Sequence, residues 1–406
     1  MNSYTYTNPI VRACAVVVDT LGRAVFSFID VFSAKKKGQH LDPNTIKKIA
    51  IVRFDQIGDA FYMLPMVSYL KRAFPKASID IYCTPATRSV FEIHPDIDRV
   101  FTFPYNRFSK GRTHANPHAD SSVNIGALDT SSSHMSKRSF VKRIRAEKYD
   151  LYIDPRGEPF ITLAGFLGQA TYRIGIENEE VLSFLYTHTI RYNPQAPAWH
   201  RFRAMLDSIG VHTDGGELAW RPRMFVTPED KDKADKVYAS DIKAPFVALH
   251  ISAGYTFKMW PLERFSELMQ KMGPGYRYAI FGTQADKVYA KEIVDRLAEH
   301  AEHITVVDLT GKLSIRETYA LLGKATLFVG NDSALAHFAA GQDIPTVEIM
   351  NIEVKPSSCV ALGSSVAPLI AANPKHVCLH ANCPYPCEHM KMVSVDDVYK
   401  ACQQYL

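Results

Sequence analysis

Three short stretches of this chain bring together side chains that can move a proton or neutralise an anion. In Phe54-Asp-Gln-Ile-Gly-Asp59, a glycine at the turn after an apolar run sets the Asp59 carboxylate at the start of the next helix. A carboxylate there either caps the helix or, facing a cleft, takes a proton as a general base. His250-Ile-Ser-Ala-Gly-Tyr-Thr-Phe-Lys-Met-Trp-Pro261 reads as a strand end followed by a small-residue loop that projects Lys258. A lysine in that position is either an ordinary surface charge or a point charge for a phosphate. In Val329-Gly-Asn-Asp-Ser-Ala-Leu-Ala-His337, the residues Asn331, Asp332 and Ser333 fall where a helix begins. The backbone N–H groups of Ser333, Ala334 and Leu335 would then face an anion in the cleft, while Asp332 accepts hydrogen bonds from sugar hydroxyls or caps the helix. Asp286, in Gly282-Thr-Gln-Ala-Asp286, is a candidate for a ribose contact. Near the C-terminus, Cys378-x4-Cys383-x3-Cys387 with His380 and His389 supplies thiolate and imidazole donors at short spacing, as zinc requires. That spacing belongs to no standard finger or ribbon, so a structural role for the thiols is expected, and no metal.

Positioning these residues calls for strands that end where they begin. Short apolar runs at 48–53, 78–83, 99–103 and 150–154 alternate with helical periodicities at 60–74 and 160–167. The rhythm restarts with strands at 245–250, 278–281, 304–307, 326–329 and 346–349, and Ser314-x-x-Glu317 has the spacing of a capping box. Strands separated by helices imply parallel pairing, hence an α/β chain with two Rossmann-like, doubly wound domains facing across a cleft. The expected division is an extension over 1–46, a first domain over 47–225, a charged linker over 226–242, a second domain over 243–392 and a final helix over 393–406 with Ser394 as its N-cap. Neither half carries Gly-x-Gly-x-x-Gly or a Walker lysine loop, which disfavours a nicotinamide-dependent oxidoreductase.

The 406 residues are 47% hydrophobic and 22% charged, an ordinary globular composition that excludes a disordered or collagen-like chain. Seven cysteines in this length are no disulfide framework, so a reducing compartment is expected. The net charge of +5 is too small to mark a nucleic-acid binder, and it is local: residues 105–148 hold nine Lys/Arg against three Asp/Glu. The stretch 105–138 is long for a loop inside a compact domain and is either a functional lid or an idle insertion. At the N-terminus Arg12, Asp19, Arg23 and Asp30 share one helical face, with Val17, Leu21, Val25, Phe28 and Phe32 opposite and Lys35-Lys36-Lys37 following. Such an amphipathic helix either lies in a membrane interface with its basic end on anionic headgroups or packs on its own domain.

Taken in order, Ile51-Val-Arg-Phe-Asp-Gln-Ile-Gly-Asp59 with Leu64-Pro65, then Lys258-x-Trp260-Pro261, Leu309-Thr-Gly311 and Gly330-Asn-Asp332-Ser with His337 resemble the bacterial heptosyltransferases, glycosyltransferase family nine, over about 47–400. The resemblance implies a GT-B scaffold and an inverting, metal-independent transfer of heptose from ADP-heptose to a lipid A–Kdo type acceptor of the lipopolysaccharide inner core. It makes Asp59 the catalytic base, Lys258 the contact to the donor's diphosphate and sugar, and Asp332 the holder of the heptose. Ser333, Ala334 and Leu335 become the phosphate-binding helix start, and Ser252, Asp286, Thr310, Gly311, Asn331 and His337 further donor contacts. Ala334 stands where the family usually carries glycine. Arg107, Arg112, Arg143 and Arg156 suit a phosphorylated or Kdo-bearing glycolipid. No cofactor beyond the nucleotide-sugar substrate is implied, and the expected state is a monomer attached peripherally to the cytoplasmic face of the inner membrane. Two other readings stand beside this one: the same chemistry with another nucleotide sugar on an O-antigen or capsule glycan, and a non-catalytic nucleotide-binding module.

Overall fold

The computed structural model describes residues 40–104, 136–177, 182–191, 193, 195–301, 303–352, 356–378 and 383–406. The expected N-terminal helix, Arg107 and Arg112 in the basic stretch, and His380 lie outside the described residues.

Lys48-Ile-Ala-Ile-Val-Arg53 is apolar on both faces along most of its length, as an inner strand covered by helices on either side must be. It forms β1 (Lys48–Arg53), buried beyond its first residue. The first domain continues with α1 (Ile57–Tyr62), α2 (Leu64–Ala73), β2 (Ser78–Cys83), β3 (Arg99–Thr102), α3 (Lys137–Glu147), β4 (Leu151–Ile153), α4 (Pro159–Leu167), β5 (Tyr172–Glu177), β6 (His188–Arg191) and α5 (Trp199–Asp207). A connecting helix, α6 (Pro228–Val237), leads to the second domain. There β7 (Phe246–His250), α7 (Leu262–Met272), β8 (Arg277–Phe281), α8 (Lys287–His300), β9 (Val306–Asp308), α9 (Ile315–Leu322), β10 (Leu327–Asn331), α10 (Ala334–Gly341), β11 (Thr346–Asn351) and β12 (Val366–Ala371) precede α11 (Val395–Gln403).

Both sheets are parallel, with strand orders β3-β2-β1-β4-β5-β6 and β12-β11-β10-β7-β8-β9. Each order reverses once, between β1 and β4 and between β7 and β10. The chain leaves those neighbouring strands toward opposite faces, which opens a crevice at the carboxyl edge of the sheet. The two α/β domains are the architecture expected from the sequence.

Where elements differ from expectation, the cause is local. The helix expected over 60–74 begins earlier, at Ile57, and breaks at Met63, because Pro65 has no N–H to continue the ladder and instead sits in the first turn of α2. Strands β5, β6 and β12 were not foreseen. Tyr172-Arg-Ile-Gly-Ile-Glu177 and His188-Thr-Ile-Arg191 dilute their apolar residues with polar ones, and β6 is alternately buried and exposed at the sheet edge. Strand β12 carries Pro368, which an edge position tolerates. The Ser314–Glu317 capping box is present, with Glu317 N–H to Ser314 Oγ at 3.2 Å and Ser314 N–H to Glu317 Oε2 at 2.7 Å.

A continuous core joins the domains. Phe61 of α1 meets Phe338 of α10 and Tyr319 of α9 at ring-centroid distances of 4.8 and 5.9 Å. Arg316 of α9 adds a polar tie, pairing with Asp230 of α6 at 2.8 Å and with Glu92 of the first domain.

At the reversal of the second sheet, Gly330 pairs with His250, and a Cβ on it would lie 2.8 Å from the His250 carbonyl oxygen. Gly330→Ala should therefore push β10 off β7 and lower stability by about 1–3 kcal/mol. Thermal denaturation measures this, and an unchanged melting temperature would show that the strands separate without penalty.

Candidate active site

On the second domain, Asn331 ends β10 and its side-chain amide holds the loop that follows β7. Asn331 Oδ1 accepts the Trp260 N–H at 2.9 Å, and Nδ2 donates to the carbonyls of Ile251 and Ser252 at 3.1 and 3.3 Å. So engaged, Asn331 fixes the backbone of the loop that carries Lys258. The fixed loop carries Lys258 to Asp332, Nζ to Oδ2 2.6 Å, in a largely buried pair. Burial works against the Lys258 ammonium, yet Asp332, with smaller pulls from Cys359 and Asp59, more than offsets it and holds the pKa above the usual lysine value. Ser333 is the N-cap of α10, and its buried hydroxyl has no partner among the described residues. The first-turn N–H groups of α10 have no acceptor within the helix and open toward the same edge.

The remaining donor-side residues follow the neighbouring strands. Ser252 Oγ lies 3.4 Å from His250 Nε2 after β7. Asp286 Oδ2 accepts the Thr283 N–H and hydroxyl at 2.6 and 2.8 Å, so this carboxylate closes a capping box after β8. Thr310 donates its N–H and hydroxyl to Asp308 Oδ1 after β9, at 2.9 and 2.6 Å. Gly311, with φ +68° against Gln284, gives its N–H to Gly282 O at 2.9 Å. All of these lie on the carboxyl edge of one sheet.

On the first domain, Arg53 ends β1 with its side chain fully buried. Its Nη2 reaches Asp55 Oδ2 at 2.9 Å and Asp59 Oδ1 at 3.1 Å, and Arg201 of α5 approaches the same Asp59 oxygen at 3.5 Å. Asp59 lies in the first turn of α1 but is not its cap, because Gln56 is the N-cap residue. Held by two guanidinium groups, the Asp59 side chain remains 39% exposed while that of Asp55 is 5% exposed. Across the reversal, Asp154 follows β4. Burial pushes its carboxyl up to about 6, against hydrogen bonds from the Tyr186 hydroxyl at 2.7 Å and the Gly157 and Arg156 N–H groups. Arg156 pairs with Asp55 and, at 2.7 Å, with Glu158. Arg143 stands apart on α3, its guanidinium 4.5 Å from the centroid of the Phe101 ring.

The two sides meet where α1 packs on α10. Gly58 lies inside the first turn of α1, not at the preceding turn. A Cβ on it would be 2.9 Å from His337 Cδ2 and 3.5 Å from Ala334 Cα. The Tyr62 and His337 rings stack edge to face with centroids 4.7 Å apart. Burial keeps His337 below the usual imidazole range, against the opposing pull of Asp332 and Asp59.

Sequence reading missed Arg53, Arg201 and above all Glu348. Glu348 is fully buried in β11; its Oε2 accepts the Ala361 N–H at 2.9 Å and its Oε1 has no partner among the described residues. Burial, reinforced by Asp332, pushes its carboxyl up to about 8. The available signal was a glutamate inside the otherwise uncharged run Thr346-Val-Glu-Ile-Met-Asn351. The C-terminal cysteines gather with His376, which sequence reading passed over, while His389 is engaged by Asn351 and Asn373 instead.

With this geometry in place, the family described as glycosyltransferase family 9 (heptosyltransferase) matches residues 137–389. Lipopolysaccharide heptosyltransferase 3 of Escherichia coli K12 is 26% identical over 307 residues, spanning 72% of this chain and 79% of its own length. Lipopolysaccharide heptosyltransferase 1 of Pseudomonas aeruginosa is 23% identical over 347 residues, spanning 83% and 88%. Among solved structures, E. coli ADP-heptose lipopolysaccharide heptosyltransferase II shares the fold with a TM-score of 0.63 at 17% identity, covering 88% of this chain and 98% of that one. E. coli heptosyltransferase WaaC with ADP does so with a TM-score of 0.62 at 18% identity, covering 88% and 100%.

A carboxyl that binds its proton more tightly folded than unfolded contributes stability that is fully present below about 4.5 and is lost as pH rises through about 8. The wild-type melting temperature should therefore fall across that window through Glu348, and Glu348→Gln should flatten the fall and melt higher than wild type above pH 8. Parallel melting curves for the two proteins across the window would contradict the assignment.

Proposed function

Because this chain belongs to glycosyltransferase family 9, the heptosyltransferase family, and is thus a glycosyltransferase of the lipopolysaccharide inner-core type, we propose that it moves a heptose from ADP-heptose to an acidic, Kdo-bearing lipid acceptor with inversion at the anomeric carbon. The observation that carries this reading is the buried Lys258–Asp332 pair, which stands with the α10 N-terminus on one side of the cleft while Asp59 stands on the other.

In this mechanism an acceptor hydroxyl lies against the exposed oxygen of Asp59. As the hydroxyl oxygen attacks the anomeric carbon from the face opposite the diphosphate, Asp59 takes its proton. The bond from that carbon to the β-phosphate oxygen breaks, and its electron pair leaves on ADP. Lys258 and the first-turn N–H groups of α10, starting from Ser333, Ala334 and Leu335, meet the charge that grows there. Asp332 accepts hydrogen bonds from heptose hydroxyls while still facing Lys258. Arg53 and Arg201 orient the base, and Asn331 keeps the Lys258 loop in register. Thr310 and Gly311, on the loop after β9, and Ser252 line the nucleotide end of the cleft. Apposition of the domains excludes water, which would otherwise compete as acceptor.

Arg156 is placed for an anionic acceptor, beside Asp55 at the edge that also carries Asp59. Among the described residues no helix is long and apolar enough to cross a membrane. The acceptor is a lipid, so action at the cytoplasmic face of the inner membrane belongs to this proposal, with the amphipathic segment before residue 38 as its attachment.

Donor choice is tested by thermal shift with ADP, UDP and GDP, repeated with ADP-heptose on wild type and Asp332→Ala. A ligand that binds only the folded protein raises its melting temperature. ADP alone among the nucleotides should stabilise wild type, and the further gain from ADP-heptose should vanish in Asp332→Ala. Stabilisation by UDP or GDP instead would discard heptose as the sugar.

A further inference from the structure

We propose that His376, Cys378, Cys383 and Cys387 form a closed structural zinc site that ties the C-terminal segment beneath the Lys258 loop. One donor atom from each residue lies within 4.8 Å of the others. Cys383 Sγ is 3.3 Å from Cys387 Sγ and 3.4 Å from His376 Nε2, and Cys387 Sγ is 3.7 Å from the same nitrogen. Tetrahedral zinc with thiolates at about 2.3 Å and imidazole at about 2.0 Å sets donor–donor edges of roughly 3.5–3.8 Å, close to these values. Three thiolates and one imidazole favour zinc over hard, oxygen-seeking cations. With all four positions supplied by the chain, the site holds structure and leaves no open position for chemistry.

The surroundings give such a site a task. Between the end of β12 at Ala371 and the short turn of helix at Met390–Met392, the described residues form no helix or strand. Yet Cys378, Cys383 and Cys387 are buried in the same core as Trp260, Met390 and Cys402. An irregular segment so deeply placed lacks the ladders that fix a strand, and a metal centre supplies the missing constraint.

Asn351, at the end of β11, connects the cluster to the cleft. Its amide Nδ2 lies 3.7 Å from Cys387 Sγ and donates to the Phe257 carbonyl at 2.8 Å, one residue before Lys258. Its Oδ1 lies 3.2 Å from His389 Nδ1, and the other nitrogen of that ring lies 3.3 Å from Asn373 O. Asn351, itself engaged by His389, is thus an outer group placed to orient Cys387 around a metal. The same segment is tied to the loop a second time, through the Trp260 indole N–H to Val393 O at 2.9 Å.

The test uses the full chain, purified under reducing conditions without a polyhistidine tag and assayed for metal by inductively coupled plasma and native mass spectrometry. The site predicts about one zinc per chain, lost in Cys383→Ser and Cys387→Ser. It also predicts that stripping zinc with a chelator lowers the melting temperature and raises the donor KM with a smaller change in kcat, and that added zinc restores both. If either variant fails to fold, the wild-type metal content decides. Absence of zinc from the wild-type protein, an equivalent of iron in its place, or a Cys383–Cys387 disulfide in the folded chain would overturn the proposal.

Discussion

Gly58 and His337 set the distance between the two halves of the cleft. With no side chain at Gly58, the first turn of α1 lies against α10; a methyl group there would meet the His337 ring at 2.9 Å. That approach places Asp59, one residue on, against the helix start that follows Asp332. The aromatic contacts of Phe61 with Phe338 and Tyr319 extend the same packing away from the cleft, so the domains share one core on that side. Asp59 on one domain and the Lys258–Asp332 pair on the other face the same cleft only while this contact holds.

The charges around the contact explain why its members are tied down. Asp332 and Glu348 are both buried beside Lys258, and one lysine cannot balance two ionised carboxylates in a dry site. The structure resolves this by raising Glu348 to about 8, which leaves it a neutral acid at ordinary pH and Lys258 paired with Asp332 alone. On the opposite edge, Arg53 is shared between Asp55 and Asp59, and Arg156 between Asp55 and Glu158. Removing one member of a buried pair leaves the other uncompensated, typically at about 3–5 kcal/mol. The cations of the cleft are therefore fixed in place by the fold.

Much of this was legible in the sequence because the chemistry sits where strands end. The apolar runs of β1, β7 and β10 announce inner strands, and Asp59, Lys258 and Asp332 follow their ends by six, eight and one residues, so local reading places all three at one kind of edge. What local reading does not supply is which partner a side chain meets. It left Asp59 and Asp332 open as helix caps, whereas Gln56 and Ser333 hold the N-cap positions and the two aspartates face cations. Asn331 and Asp286 read as ligand contacts; in the fold Asn331 Oδ1 accepts from Trp260 and Asp286 Oδ2 from Thr283, partners that local reading did not name. Arg53 passed as the last residue of a strand although Asp55 and Asp59 stand two and six residues on, because only the turn after β1 folds them back onto its guanidinium. Glu348 passed as an oddity within a strand, because its burial beside Asp332 comes from neighbouring elements of the second domain. His376 lies before the first of the three cysteines, outside the run 378–389 in which His380 and His389 stand. The edge strands β6 and β12, and β5 next to the edge, carry polar residues or a proline and lack the continuous apolar signal that marked the other strands.

If Asp59 acts on the acceptor while Lys258 and Asp332 hold the donor, a loss at Asp59 separates turnover from donor binding. Steady-state transfer from ADP-heptose by Asp59→Asn, with ADP affinity measured by calorimetry on the same protein, makes that separation. The expected result is a kcat lower by about 10²–10⁴-fold with ADP binding close to wild type. Turnover near wild type, with ADP still bound, would contradict it.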